Sequence, residues 1–383
     1  MGGAAVREIM QGFALRTGLG RTDSPSTRYL WTDAFAVCNF LGLFVEEGDT
    51  EAMQSALQLV DETHRVLGRH RPDDLRRGWI SGLDEERGAK HPTLGGLRIG
   101  KDLPERISDE VFDAALEWDR DGQYYHYLTK WMYALGCVSR VTDDPRYRGW
   151  AVELARAAYA SFSVCDATGL SIGLHWKMSI DLSRPLVPSM GQHDPLDGFL
   201  VYSRLQAGSA GEKEFDLSPE LRGLSQICVG RDWFTDDTLG IGGLLTDACA
   251  LARMMTDGNL NEPILLASLL ESALAGLELL VRRRVFEESA ERRLPFRELG
   301  LAIGLHAVQR LQIRVDKNAG VFANKNELLS TLEALVAYVG LARAVEQFWL
   351  QPINRRSPNW IGHLEINEVM LATSLAPHGY LEI

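Results

Sequence analysis

LGIGGLLTDACALARMM at 239–255, followed by EPILLASLLESALAGLELLVRRRV at 262–285, is the stretch that decides the fold class. The first segment is apolar on most sides and rich in small residues, whereas the second carries Glu271 and Glu278 on a largely apolar surface. Apolar residues recur in both at helical spacing. Because an all-round apolar helix belongs inside a protein and a one-sided helix belongs at its rim, the stretch predicts a hairpin of one inner and one outer helix.

Helix pairs of the same kind recur on both sides of this hairpin. The predicted helices are 4–17, 28–45 with 50–67, 123–141 with 147–162, 195–205 with 219–229, 239–255 with 262–285, 296–311 with 326–349, and 366–375, which pairs with the first. The pattern of paired helices is weakest at 195–229. Six inner–outer pairs predict an all-α (α/α)6 toroid of six helical hairpins, formed as a single domain over residues 1–383.

Two long connections, 68–111 and 163–191, are rich in Gly, Pro and Asp. Each follows an outer helix and precedes an inner one, so we expect both at one mouth of the toroid. Loops of this length are usually functional or form small sheets. The alternating segment Leu170–Met178 predicts a short β-hairpin there.

Charge and cysteine content limit the possible partners and the compartment. The 383 residues carry a formal net charge of −12, and an acidic chain without a long basic run is a poor ligand for phosphate backbones. Five scattered cysteines predict buried free thiols and a reducing compartment. The N-terminal segment lacks a secretory pattern. We therefore expect a soluble, cytoplasmic protein with no nucleic-acid or membrane partner, and a homo-oligomer is compatible with the sequence.

The helix pairing, the chain length and two segments, YLWTDAF at 29–35 and YLTKW at 127–131, resemble the six-hairpin glycosidase-like superfamily. That superfamily includes glycoside hydrolases, some sugar epimerases and polysaccharide lyases, built on an (α/α)6 toroid. The resemblance implies a carbohydrate-active enzyme with a saccharide as its small-molecule partner. No catalytic signature of a single family is matched, so the resemblance assigns no catalytic residue.

Four aspartates form the pool for acid and base catalysis, and His193 is the histidine favoured for a catalytic role. Asp194 and Asp197 lie three residues apart, and two such carboxylates suggest a general acid/base pair, but Asp194 can instead cap a helix whose first residue is Pro195. The other two members of the pool are Asp33, beside two aromatic residues, and Asp236, just before the glycine-rich inner helix.

His126, Lys130 and Tyr133 lie at i, i+4 and i+7 and share one helical face. Such a face suits a polyhydroxylated ligand, although a buried histidine and a solvated lysine would give the same pattern. The other residues predicted to bind the substrate are Trp31, Trp131, Trp176, Gln192, Trp233, Trp360 and His363.

No metal-binding pair of residues occurs on one predicted helix, and we expect neither a metal nor another cofactor. Three functions stay open. The first is a glycoside hydrolase-like enzyme that acts on a small saccharide by carboxylate acid/base catalysis. The second is a sugar epimerase or lyase that transfers a proton through a histidine. The third is a non-enzymatic helical protein that binds a ligand.

Overall fold

The structure is a computed structural model and describes residues 2–21, 26–208, 212–322 and 326–383. The helices are α1 Gly2–Arg16, α2 Leu30–Glu47, α3 Thr50–Leu67, α4 Glu85–Lys90, α5 Ala114–Asp119, α6 Tyr125–Thr142, α7 Pro145–Phe162, α8 Asp194–Ala207, α9 Ser218–Cys228, α10 Thr238–Thr256, α11 Pro263–Arg282, α12 Pro295–Lys317, α13 Ala319–Phe322, α14 Asn326–Val336, α15 Gly340–Leu350, α16 Pro358–Ile361, α17 Leu364–Leu375 and α18 His378–Leu381. The strands are β1 Gln123–Tyr124, β2 Ser163–Cys165, β3 Ser171–Leu174, β4 Lys177–Met178 and β5 Pro185–Val187.

Contacts within the chain divide it into two compact units. The first unit comprises Ala14–Val229 together with Ile383, and the second comprises the N-terminal residues up to Phe13 together with Gly230–Glu382. The first contains the hairpins α2–α3, α6–α7 and α8–α9, in which α6 packs against both α2 and α8. The weakest predicted hairpin, at 195–229, is therefore present. The expectation of a single domain stays a prediction.

The helices of the first hairpin differ in burial, as their sequences predict. Every residue of α2 from Leu30 to Leu43 is buried, whereas α3 buries one side only. Gly48 ends α2 with a φ of 71°, in the left-handed region that glycine tolerates best. Asp49 then begins α3 by accepting a hydrogen bond from the backbone N–H of Ala52 at 3.0 Å.

The two long loops meet in the first unit and form small antiparallel sheets. The strands are ordered β1–β4–β5 in one sheet, and β2 pairs with β3 in the other, which confirms the predicted hairpin region. The buried Gln123 side chain joins the loops, because its amide nitrogen donates to the carbonyl oxygens of Gly95 and Ile180. Arg76 of the first loop also donates to Asp181 of the second at 2.9 Å. The expected convergence of the loops is thus observed.

In the second unit, α10 and α12 approach through glycines. A β-carbon added at Gly242 would collide with the carbonyl oxygen of Gly300, and one added at Gly304 would lie 2.7 Å from the Cα of Gly242. A β-carbon at Gly243, by contrast, would meet nothing within 4 Å. Gly242 of the deciding stretch therefore allows close helix packing. α12 also contacts α14, α15 and α17.

Two stretches, Pro263–Arg282 and Asn326–Leu350, are long and apolar enough to cross a membrane by length and composition. The first buries one face, at residues including Leu266, Leu270 and Leu277, against its neighbours α10 and α14. The second is divided at 337–339 into α14 and α15, although the sequence predicts one helix there. Such partly buried and interrupted helices are consistent with a soluble protein. Cytoplasmic location stays a prediction.

The five cysteines are free thiols but differ in exposure. Cys38, Cys137 and Cys249 are buried, as predicted, whereas Cys165 is exposed and Cys228 is half-buried. The expectation that all five are buried is therefore wrong for Cys165. This residue ends the short strand β2, which lies outside the helical layers.

Candidate functional site

The candidate site lies in the first unit, where α6 and α8 begin. Asp194 and Asp197 both belong to the first turn of α8, and both are buried. The sequence favours Asp194 as a helix cap, but His193 occupies the cap position without a side-chain cap bond. The Asp194 carboxylate instead accepts a hydrogen bond from the backbone N–H of Gly191 at 3.2 Å. Neither carboxylate is engaged in capping α8.

Asp194 is held in a protonation state unusual for an aspartate. Burial and the negative charge of Asp197 raise its pKa to about 7, although the Gly191 hydrogen bond and the Lys130 charge oppose the shift. Desolvation disfavours the charged form of an acid, and a neighbouring carboxylate has the same effect. At neutral pH this group therefore has a proton to donate.

Asp197 has the opposite environment. Its carboxylate accepts a hydrogen bond from the Lys130 ammonium at 2.8 Å, and both side chains are largely buried. A hydrogen bond between an ammonium group and a carboxylate is charge-assisted and stronger than one between neutral groups. The two aspartates of one helical turn therefore have different partners, a backbone N–H for Asp194 and the Lys130 ammonium for Asp197.

His126 completes the polar part of the site. Its Nδ1 lies 3.9 Å from Asp194 Oδ1, and its side chain is 28% exposed. Burial lowers the pKa of His126 to about 4, so the imidazole is neutral at pH 7. A neutral imidazole can both donate and accept hydrogen bonds.

An aromatic stack borders these polar groups. The Tyr124 ring stacks on His126 at 5.8 Å and on Trp176 at 5.2 Å, and Trp118 meets Trp176 edge to face at 4.6 Å. Trp118 is 51% exposed, which is unusual for so large an apolar side chain. Flat apolar rings beside directional polar groups suit the faces and hydroxyls of a sugar.

A buried lysine connects the segments that carry the aromatic stack. Lys177 on β4 donates to the carbonyl oxygens of Glu117 and Arg120, and lies 3.0 Å from the Glu117 carboxylate. These bonds join α5, which carries Trp118, to the strand that follows Trp176. The Lys177 ammonium also lies 5.3 Å from the centre of the Tyr124 ring.

Asp33 and Trp31 lie on α2 and are buried. Asp33 accepts hydrogen bonds from the backbone N–H of Tyr29 and from the Thr63 hydroxyl, each at 3.2 Å. Burial raises its pKa to about 6, against the opposing charge of Arg28. Tyr29 reaches the site, because its hydroxyl oxygen is 2.8 Å from that of Tyr127 on α6.

The structure separates some residues that the sequence groups together. Farther along α6, Tyr133 lies beside Arg204, whose guanidinium group is 4.5 Å from the centre of the Tyr133 ring. Trp131 is fully buried and donates to His64 Nε2 at 3.0 Å. Gln192 is exposed and His193 half-buried, and both lie directly before Asp194.

The remaining predicted site residues belong to the second unit. Asp236 pairs with Arg283 at 2.8 Å, and both side chains are more than half exposed, while the neighbouring Asp237 caps α10. Trp233 and Trp360 are buried, and the Trp360 ring stacks on that of Trp349. His363 precedes α17, and its ring meets the Phe296 ring edge to face.

Three residues of the site were missed by the sequence reasoning, Trp118, Tyr124 and Tyr127. The two tyrosines flank His126 in the chain, so the run YYHY at 124–127 was an available signal. Trp118 lies in the short helix α5, which the sequence analysis does not predict, and no helical periodicity in the sequence indicates it. Among the described residues, no group of three or more His, Cys, Asp or Glu side chains is placed to hold a metal ion.

Comparison with known proteins identifies the fold. No family model and no curated protein matches the sequence. A GH76 α-mannanase of Bacteroides thetaiotaomicron is similar over 98% of this chain and 95% of its own, with a TM-score of 0.54 and 9% sequence identity. A sugar epimerase from a ruminal bacterium covers 98% of both chains, with a TM-score of 0.49 and 10% identity. Cellobiose 2-epimerase from Bacillus thermoamylovorans covers 88% of this chain and 87% of its own, with a TM-score of 0.47 and 10% identity. The similarity to the α-mannanase shows that the chain has the all-α, (α/α)6 toroid fold that its sequence predicts.

Proposed function

We propose that the protein is a carbohydrate-active enzyme that hydrolyses a glycosidic bond in a small saccharide. Asp194 is the general acid and Asp197 is its carboxylate partner. The observation that carries this proposal is the contrast between the two aspartates in the first turn of α8. Burial and the charge of Asp197 raise the pKa of Asp194 to about 7, while Asp197 is bonded to Lys130 at 2.8 Å. Glycoside hydrolysis requires one protonated and one ionised carboxyl group.

In this mechanism Asp194 donates its proton to the glycosidic oxygen as the bond to the sugar breaks. Asp197 either attacks the anomeric carbon, forming a glycosyl ester that water then hydrolyses, or takes a proton from the water molecule that attacks this carbon. Lys130 positions Asp197 through their hydrogen bond, and His126 binds a sugar hydroxyl. The sugar ring lies against Trp118 and Trp176, the solvent-accessible rings of the stack, where its C–H face meets an aromatic surface.

Asp33 and Asp236 have no proton-transfer role in this proposal. The Asp33 carboxylate accepts hydrogen bonds from Tyr29 and Thr63, and its burial prevents contact with a substrate. Asp236 is paired with Arg283 where both side chains are well exposed. His193 and Gln192 lie next to Asp194 and are proposed to contact the substrate, as general polar ligands.

The test is hydrolysis of a panel of aryl glycosides and short oligosaccharides by the wild type and two variants. Asp194→Asn and Asp197→Asn should each reduce kcat/KM by about a hundredfold or more, since a positioned proton donor contributes roughly 10²–10⁴. Asp257→Asn is the matched control, because it removes the same charge from a half-exposed side chain 3.9 Å from Arg253. Full activity of both site variants would contradict the assignment.

A second function, sugar epimerisation or uronate elimination, is favoured by His126. Its neutral imidazole beside Asp194 is ready to accept a proton from a carbon next to a carbonyl group. Turnover in deuterated water separates the two reactions, because epimerisation introduces deuterium into the sugar and hydrolysis does not. Saccharide binding without any turnover would instead support a non-enzymatic binding protein.

A further inference from the structure

A lysine and two tyrosines lie beside the candidate site in the first unit. Lys101, in the first long loop, places its ammonium group 5.9 Å from the centre of the Tyr29 ring. The Tyr29 hydroxyl oxygen is 2.8 Å from that of Tyr127, and the Tyr127 ring meets the His126 ring edge to face at 4.6 Å. All four side chains are partly exposed. The two tyrosines therefore connect His126 with Lys101 along an accessible surface.

The Asp119 carboxylate acts on this lysine. Asp119 is exposed and directly follows Trp118, against which the sugar is proposed to lie. Burial lowers the pKa of Lys101, and among the charges that oppose this shift the Asp119 carboxylate has the largest effect. Within the described part of the chain, no hydrogen bond or ion pair of 4 Å or less joins the two side chains. Two opposite charges therefore lie near each other with space between them.

Both charged residues stand on segments that are held in place. Arg71 donates a hydrogen bond to the backbone oxygen of Lys101. The buried Lys177 donates to the backbone oxygens of Glu117 and Arg120, on either side of the Trp–Asp pair of α5. A binding site whose groups are fixed before the ligand arrives loses less entropy on binding. The positions of the lysine and the aspartate suit such a site.

The chemistry of these groups matches a neutral sugar ring. A hydroxyl group both donates and accepts hydrogen bonds, so adjacent sugar hydroxyls can accept from the Lys101 ammonium and donate to the Asp119 carboxylate. The Tyr29 ring offers a flat apolar surface beside them. Asp119 would repel the carboxylate of a uronic acid, and Lys101 would repel the ammonium group of an amino sugar.

We propose that Lys101, Asp119 and the Tyr29–Tyr127 pair form a second sugar subsite, which binds a neutral ring next to the ring bound at His126. The substrate is then a neutral saccharide of at least two rings. This inference rests on the proposed saccharide substrate, but it holds for an epimerase as well as for a hydrolase.

The test is calorimetric titration of the full chain carrying Asp194→Asn, so that binding is measured without the proposed turnover. The titrants are cellobiose, mannobiose, maltose and lactose, each compared with its component monosaccharides. At least one disaccharide should have a dissociation constant about tenfold or more below those of its monosaccharides. Lys101→Met and Asp119→Asn should each reduce this preference about tenfold, because a hydrogen bond to a charged group contributes a factor of about that size.

Lys90→Met and Asp257→Asn are the matched controls, since Lys90 pairs with Glu86 and Asp257 with Arg253 at exposed positions. Both should keep the preference for the disaccharide, and thermal transitions check that every variant folds. Disaccharides bound no more tightly than monosaccharides would overturn the proposal. So would an unchanged preference in both site variants, or digalacturonate bound more tightly than every neutral disaccharide.

The outcome is separable from that of the proposed hydrolysis. Preferential disaccharide binding that both site variants weaken, without hydrolysis by the wild type, would support the subsite and contradict the hydrolase. Hydrolysis of aryl monosaccharides by a protein with no preference for disaccharides would support the hydrolase and contradict the subsite.

Discussion

Replacing Asp194 with asparagine should stabilise the protein above pH 7 while it removes the proposed catalysis. Burial and the Asp197 charge raise the pKa of Asp194 from 3.8 to about 7. In the unfolded chain the carboxyl group is ionised above about pH 4, whereas in the folded protein it stays protonated up to about pH 7. Between these values the folded state binds more protons, so wild-type stability falls as the pH rises.

The pKa shift sets the size of the effect. A shift of about three units at about 1.36 kcal/mol each gives at most about 4 kcal/mol, lost by the wild type between about pH 4 and pH 7. Asparagine has no charge to bury, and its amide oxygen can still accept the hydrogen bond from Gly191. For a chain of 383 residues, an unfolding entropy of roughly 2.1 cal/mol/K per residue converts 4 kcal/mol into about 5 °C.

The assay is thermal and urea unfolding of the wild type, Asp194→Asn and the control Asp257→Asn, from pH 4.5 to 8.5. The stability difference between the wild type and Asp194→Asn should grow up to about pH 7 and then stay constant. Asp257→Asn should follow the wild type at every pH. Parallel pH profiles for the wild type and Asp194→Asn would refute the argument that burial shifts this carboxyl group.

Four further variants have expected outcomes. Lys130→Met should lower activity and move the alkaline limit of the pH–rate profile to higher pH, because the Lys130 charge lowers the pKa of Asp194. An unchanged alkaline limit would contradict this. Gly242→Ala should destabilise the protein by about 1–3 kcal/mol in urea unfolding, since its new methyl group meets the facing helix. Gly243→Ala, one residue on, has space and should instead be neutral or stabilising by up to about 1 kcal/mol; equal losses in both variants would show that α10 and α12 do not meet as described. Trp118→Ala should raise KM about two- to tenfold with little change in kcat, as expected for a ring that only supports the sugar, and a kcat effect alone would exclude that role.

The hairpins were predictable because their signal is local. Apolar periodicity and the contrast between all-round and one-sided helices are properties of short segments, and both α2 and α3 follow them closely. The break between α14 and α15 was not predictable, because the apolar pattern continues through 337–339.

The site was only partly predictable, because its chemistry depends on distant pairings. The sequence around Asp194 resembles an ordinary helix start, and the ion pair of Asp197 with Lys130 joins positions 67 residues apart. Tyr133 shares a helical face with His126 by spacing, but seven residues place it about 10 Å farther along the axis, beside Arg204. Lys177 bonds to the backbone of α5 at Glu117, next to Trp118, and no local pattern reveals this contact.

The glycine crossing between α10 and α12 limits how this chain can change during evolution. A one-residue insertion in α10 ahead of Ile241 turns the following residues by about 100° and brings Ile241 to the crossing in place of Gly242. Homologues should therefore keep the length of α10 constant and vary in length in the loops that flank it. Length changes inside α10 should occur only where another glycine takes the place of Gly242 at the crossing.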